Sequence, residues 1–250
     1  RAVPLRDVTE HSFRIIPFDQ PEGEVAYAFN QYHLISAPVV DSDDRLVGVI
    51  TIDDAMVVLD EEDIMRLAGV GVGSLSDRVI ETIKRRCPWL AANLCTAIIA
   101  SLVISIFEAT ITQVIALAVL MPIMASMGGN AGTQSLTIPV RAIATKDLTT
   151  SNVWRVIRRE VLVGLGNGII FAVLLWLVGF FWFGSSTIGW VLAMAIVVNM
   201  VIAGFAGTVV PVLLEKMGVD PALAAGAFVT TVTDVVGFFA FLGLAAWVLL

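Results

Sequence analysis

Residues 221–250 read PALAAGAFVTTVTDVVGFFAFLGLAAWVLL. A run of this length with Asp234 as its one charge exceeds the ~20 apolar residues that a helix needs to span hydrocarbon. It therefore reads as a membrane span. Pro221 behind Asp220 is good helix-starting chemistry. At ~1.5 Å per residue, Asp234 then lies ~21 Å into the helix. Gly226, Thr230 and Asp234 recur every four residues and share one face, with Thr231 and Gly237 beside it. An ionisable group at that depth is costly unless it meets water, a partner or a bound ion, so Asp234 marks a functional path.

The remainder of the chain has the same character. With 58% hydrophobic residues and a mean hydropathy of +0.89, the 250 residues are richer in apolar groups than a soluble domain. The apolar residues fall almost wholly after Cys87. Four further spans are read at Trp89 to Phe107, Ile111 to Pro139 with an irregular middle, Val161 to Phe183, and Ile188 to Leu214. Lys84, Arg85 and Arg86 precede the first span. Arg141, Lys146, Arg155, Arg158 and Arg159 separate the second and third, and Lys216 separates the fourth and fifth. The other two connections carry no Lys or Arg. This asymmetry predicts a cytoplasmic N-terminal head and an outward C-terminus.

The net charge of −7 comes from the head, which argues against nucleic acid and favours a cationic partner. The sequence starts at Arg1 and shows no signal-peptide pattern, so we expect a piece of a longer protein with no leader to discount. Cys87 and Cys95 have neither zinc-site nor redox-pair spacing, and both read as packing residues.

Within the head, Arg14 to Ile16 reads as extended, Gly23 to Tyr32 as helix, and Ala37 to Val40 and Leu46 to Ile52 as strands around a turn at Asp41 to Arg45. Asp53 and Asp54 are placed to cap a final helix. The segments Ser36-Ala37-Pro38-Val39-Val40-Asp41 and Gly48-Val49-Ile50-Thr51-Ile52-Asp53-Asp54 closely resemble a CBS domain. That resemblance implies an adenine nucleotide with Thr51 and Asp54 at its ribose and phosphate; alternatively the two serve only as turn and cap residues. Asp60-Glu61-Glu62-Asp63 follows. Four adjacent carboxylates repel one another and form either a solvated face or an attractor for a divalent cation, which seeks several oxygen ligands.

The second span contains Met121-Pro122-Ile123-Met124-Ala125-Ser126-Met127-Gly128-Gly129-Asn130-Ala131-Gly132-Thr133-Gln134-Ser135. Proline, three glycines and several polar groups predict a helix broken where it lines a water-filled cavity. Close helix packing through small residues is the rival explanation, but it does not account for Asn130 and Gln134. A lone Asp234 is too little for a divalent ion, and a two-fold dimer axis along the path would supply a second copy.

Gly128-Gly129-Asn130-Ala131-Gly132-Thr133-Gln134, taken with Asp220-Pro221-Ala222-Leu223 and Thr231-Val232-Thr233-Asp234 behind a CBS module, resembles the MgtE family of magnesium channels over essentially the whole chain. The resemblance implies an all-α polytopic membrane domain of about five helices (87–250), a small α/β cytoplasmic CBS module (1–60) and an acidic, plug-like connecting helix (61–86). It implies a homodimer in the bacterial inner membrane that takes up Mg2+ and is gated by cytoplasmic Mg2+. Asp234 would be the pore carboxylate, lined by Gly128, Gly129, Asn130, Gly226, Thr230 and Thr231. Glu62, Asp63 and Asp220, with Asp53, would form sensing sites. The full family pattern also has an acidic helical N-terminal domain and a first CBS module, which this sequence does not display. Magnesium gives up its waters reluctantly, so a few oxygens around a hydrated ion suit it better than a dry cage.

A proton- or sodium-coupled transporter of a divalent cation is the alternative, but such folds show paired broken helices and only one span here is interrupted. A membrane zinc protease requires His-Glu-x-x-His, whereas His11 and His33 both lie in the head. An aspartyl protease requires two intramembrane aspartates. The sequence therefore predicts no enzyme. His33 reads as a surface or core residue of the module, and Glu108 as a helix-end group or a cation-concentrating outer mouth.

Overall fold

The computed structural model describes residues 14–57, 78–144, 148 and 151–249. The chain divides into two compact units, Arg1–Ala68 and Gly69–Leu250.

The first unit is a three-stranded sheet of order β1-β2-β3 with a helix between β1 and β2 and helical residues 52–57 directly after β3. Strand β1 (Ile16–Pro17) runs parallel to β2 (Ser36–Val40), which pairs antiparallel with β3 (Leu46–Thr51). Helix α1 (Glu22–Tyr32) buries Val25, Ala26 and Phe29 against Ile16, Ala37 and Ala55. It ends with His33 in the left-handed region, φ 51°, while the Leu34 amide reaches back to the Phe29 carbonyl. The β2–β3 turn is held by Asp41, whose Oδ1 accepts from the amides of Asp43 and Arg45 at 2.9 Å each. These are the elements that the residue pattern predicts.

The second unit is helical: α2 (Val79–Ile106), α3 (Glu108–Gln113), α4 (Ala116–Ala144), α5 (Val153–Phe183), α6 (Ser186–Lys216) and α7 (Pro221–Leu249). Among the described helices, α2, α5, α6 and α7 are long and apolar enough to cross a membrane. Helix α4 has 29 residues and matches them in length while carrying Ser126, Asn130, Thr133, Gln134, Ser135 and Thr137.

One expectation is corrected. Helix α4 runs unbroken through Gly128–Gly132 with Pro122 and Pro139 inside it, and the irregularity falls earlier, between α3 and α4. A helix satisfies its own backbone groups, and glycine within it serves to admit a neighbour closely rather than to break it.

Helix α6 is the centre of the bundle, the most buried of the four long apolar helices, and it packs on α4, α5 and α7. Backbones meet directly along the α5–α6 hairpin. A Cβ on Gly179 would lie 2.5 Å from the Gly189 Cα, and one on Gly204 would fall on the Glu160 carbonyl. Dispersion and close packing drive association where lipid removes the hydrophobic difference between inside and outside. The main core joins Leu117, Leu120 and Met124 of α4 to Leu192 and Ile196 of α6 and to Phe241 and Leu242 of α7. Cys87 and Cys95 are exposed on α2. This departs from the packing role read for them, because α2 lays most of its surface outside the bundle.

Candidate functional site

The α6–α7 connection fixes where the functional helix begins. Gly218 adopts φ +73°, a conformation that costs glycine little. The Val219 amide donates to the Leu214 carbonyl and the Gly218 amide to the Glu215 carbonyl, both at 3.0 Å. This is the two-bond closure of a helix by a left-handed glycine. Exposed Asp220 then caps α7, its Oδ1 accepting from the Ala222 amide at 2.9 Å. Four residues, 217–220, thus reverse the chain and set α7 antiparallel beside α6.

Asp234 is the fourteenth of the 29 residues of α7, near its midpoint. It is half-buried, and its Oδ1 is fully buried without a hydrogen-bond partner. The hydroxyls nearby do not serve it. Thr230 donates to the Gly226 carbonyl at 2.7 Å, Thr231 to the Ala227 carbonyl at 2.6 Å and Thr233 to the Thr230 carbonyl at 2.9 Å. Because each hydroxyl proton is committed to its own helix, these groups offer only lone pairs to their surroundings. The face bearing Gly226, Thr230 and Asp234 is therefore a strip of acceptors with one uncompensated carboxylate, suited to a cation or to the water around one.

Helix α4 lies alongside this strip. A Cβ on Gly132 would meet Val229 Cγ1 at 2.6 Å and Thr233 Cγ2 at 3.5 Å, and one on Gly129 would meet only Thr230 Cγ2, at 3.6 Å. Asn130, Thr133 and Gln134 are exposed. Asn130 makes one long contact, 3.5 Å, to Ser126 Oγ, and Thr133 donates to the Gly129 carbonyl at 2.9 Å. Gly226 is half-buried, with open space where a Cβ would point. The structure thus brings Gly129, Thr230 and the turn below Asp234 together. Gly128 is buried and turned elsewhere, toward Asn199 of α6.

Several buried polar residues in the membrane half went unremarked in the sequence, Asn199 and Glu160 among them. Asn199 is wholly buried and Glu160 is 4% exposed. Asn199 had a signal, a lone carboxamide amid an apolar span. Glu160 lay one residue outside the span drawn from Val161, whereas α5 starts at Val153. Among the described residues no three His, Cys, Asp or Glu side chains gather as a metal-binding group.

In the head, Thr51 and Asp54 partner each other. The Thr51 hydroxyl donates to Asp54 Oδ2 at 2.7 Å and its amide at 3.1 Å. The hydroxyl bond first and the amide bond second hold the exposed Asp54 carboxyl below its usual range. Asp53 is exposed. Glu62 and Asp63, with the rest of the acidic run and the start of the connecting segment, lie outside the described residues.

A family model for MgtE, a divalent cation transporter, matches residues 121–244, which contain α5 and α6 and most of α4 and α7, and a CBS-domain model matches residues 5–61. The chain belongs to the MgtE family. It is 35% identical over 245 residues to a magnesium transporter MgtE of Enterococcus faecalis, covering 97% of this chain and 54% of that protein. It is 34% identical over 238 residues to one of Bacillus subtilis, covering 93% and 53%. A third, from Thermus thermophilus, is 36% identical over 234 residues, covering 91% and 52%. The chain spans about half the length of the curated relatives it matches. Family and helices together make it a multi-pass membrane protein.

Proposed function

We propose that this chain passes hydrated Mg2+ across the cell membrane along the strip bearing Gly226, Thr230 and Asp234, with Thr231, Gly129 and Asn130 at its margin. The observation that carries the reading is the buried, unpartnered oxygen of Asp234 at mid-helix. Support comes from the relatives, which are magnesium transporters, and from the committed hydroxyls, which leave oxygens free to accept from the ion's water shell. A homodimer would place two such carboxylates about one axis, giving the charge that a divalent ion needs. The head would lie in the cytoplasm, a reading that the distribution of Lys and Arg supports.

Gating by cytoplasmic Mg2+ follows from the same reading. Glu62, Asp63, Asp53 and Asp220 would be bare when the ion is scarce and occupied by it when it is abundant. Several weak sites would then favour a closed form by their differential affinity. Thr51 and Asp54 would meet an adenine nucleotide only by exchanging their mutual bonds for bonds to it.

Flux into liposomes, compared for Mg2+ and Ca2+ with and without a membrane potential, tests the function. Mg2+ entry that follows its own gradient and the potential is the expected result. Entry that requires a proton or sodium gradient overturns the channel in favour of a coupled transporter.

A further inference from the structure

We propose that Asn199 is a positioning residue that sets the distance between α4 and α7 at the level of Asp234; this rests on Asp234 lining the ion path. Asn199 is the fourteenth of the 31 residues of α6, wholly buried and near the middle of the span. Its Nδ2 donates to the Met124 carbonyl of α4 at 2.9 Å. That carbonyl belongs to the turn of α4 leading into Gly128, and its second lone pair lets it accept from a side chain as well as from its own helix.

The carboxamide also occupies the space that two glycines leave. A Cβ on Gly128 would lie 2.5 Å from Asn199 Nδ2, and one on Gly237 of α7 would lie 2.8 Å from the same atom. One side chain from the central helix therefore stands against both helices of the path. Gly237 is three residues after Asp234, less than one turn of α7 away. A shift of Asn199 is thus transmitted to the backbone that carries the carboxylate.

An aliphatic side chain of similar size would fill the same gap. The directional bond to Met124 is what such a side chain lacks, and it fixes the register of α4 against α6. Asn199 Oδ1 is buried without a partner, so the site carries an unsatisfied acceptor that a purely space-filling residue would not have. Retaining the amide at that cost points to geometry, not bulk.

The test is Mg2+ and Ca2+ flux over a concentration series in liposomes for Asn199→Leu and Asn199→Ala, at matched amounts of protein with parental elution profile. The expected result is a half-saturating Mg2+ concentration raised about threefold to tenfold, the range that one lost interhelical hydrogen bond in a membrane yields, together with a lowered Mg2+ to Ca2+ ratio. Loss of folded protein alone is what a structural role predicts; a change in selectivity is not. If Asn199→Leu does not fold, the double variant Gly128→Ala, Asn199→Ala decides, because the new methyl enters the space that the amide leaves. Folded variants with parental half-saturation and ion ratio overturn the proposal. Asp234→Asn, run in parallel, separates the two readings. Flux retained there overturns the path itself, whereas flux lost there beside unchanged Asn199 variants overturns only the positioning role.

Discussion

Gly129 of α4 faces Thr230 of α7 so closely that a Cβ at position 129 would sit 3.6 Å from the threonine methyl, an ordinary contact with no other neighbour in reach. Gly129→Ala therefore fits without unfolding the bundle, and the methyl it adds stands beside the acceptor strip. We expect normal yield and elution with Mg2+ flux reduced severalfold, and a greater loss for Gly129→Val. Parental flux in Gly129→Val would mean that α4 is ordinary packing at this point.

Asp234→Asn keeps the shape and removes the charge. Charge-assisted hydrogen bonds contribute ~1.5–3 kcal/mol, so removing one at the ion's position lowers uptake by roughly tenfold or more. Asp234→Glu is expected to conduct poorly because the added methylene crowds a half-buried carboxyl. Growth at low magnesium of cells lacking other importers reads both; parental growth with well-expressed Asp234→Asn would falsify the path.

Gly204 and Gly226 separate packing from conduction. A Cβ on Gly204 falls on the Glu160 backbone, so Gly204→Ala forces α5 and α6 apart at ~1–3 kcal/mol. It should lower the melting temperature of the purified protein. Gly226→Ala points into open space and should melt like the parent, so any loss of flux there reports on the path. A lowered melting point for Gly226→Ala with unchanged flux would reverse these roles.

The Thr51–Asp54 pairing predicts acid sensitivity in the head. A carboxyl whose folded pKa is lowered adds stability above its unfolded value, and that stability is lost as pH falls through the folded one. The contribution is thus complete at neutral pH and fades below the ordinary aspartate value of about 3.9. The Thr51 amide, which donates to Asp54, should lose hydrogen-exchange protection over that range, and Asp54→Ala should remove it at neutral pH. Equal protection in parent and variant would show that the amide is guarded by the strand alone.

Neutralising Glu62, Asp63 and Asp220 together should leave a protein that conducts but no longer closes as magnesium rises. Protease cleavage across 64–86 is the readout. Cleavage that is the same with chelator and with millimolar magnesium would make the acidic run a solvated face only.

Much of the membrane half was legible because its strongest signals are local. Hydropathy and a four-residue spacing placed Asp234 on α7 with Gly226 and Thr230, and Asp220-Pro221 announced the start of that helix. The glycines of α4 were harder to read. Gly128 and Gly132 serve close contacts with Asn199 and Val229, partners some 70 to 100 positions away, and a local reading turns such glycines into a break. Asn199 was missed for the same reason, since a carboxamide in an apolar run acquires meaning only once Met124 stands beside it. Glu160 was lost to a span boundary, the least certain part of any hydropathy reading.

Helix α2 is the least sheltered of the four helices long and apolar enough to span, and its chief neighbour among the described helices is α7. A ribosome delivers α2 before α7, so α2 must wait in lipid while more than a hundred residues are made before the helix it rests on arrives. The bundle therefore closes only once the segment bearing Asp234 enters. A chain stopped before Pro221 would leave α2 solitary, as a target for membrane quality control.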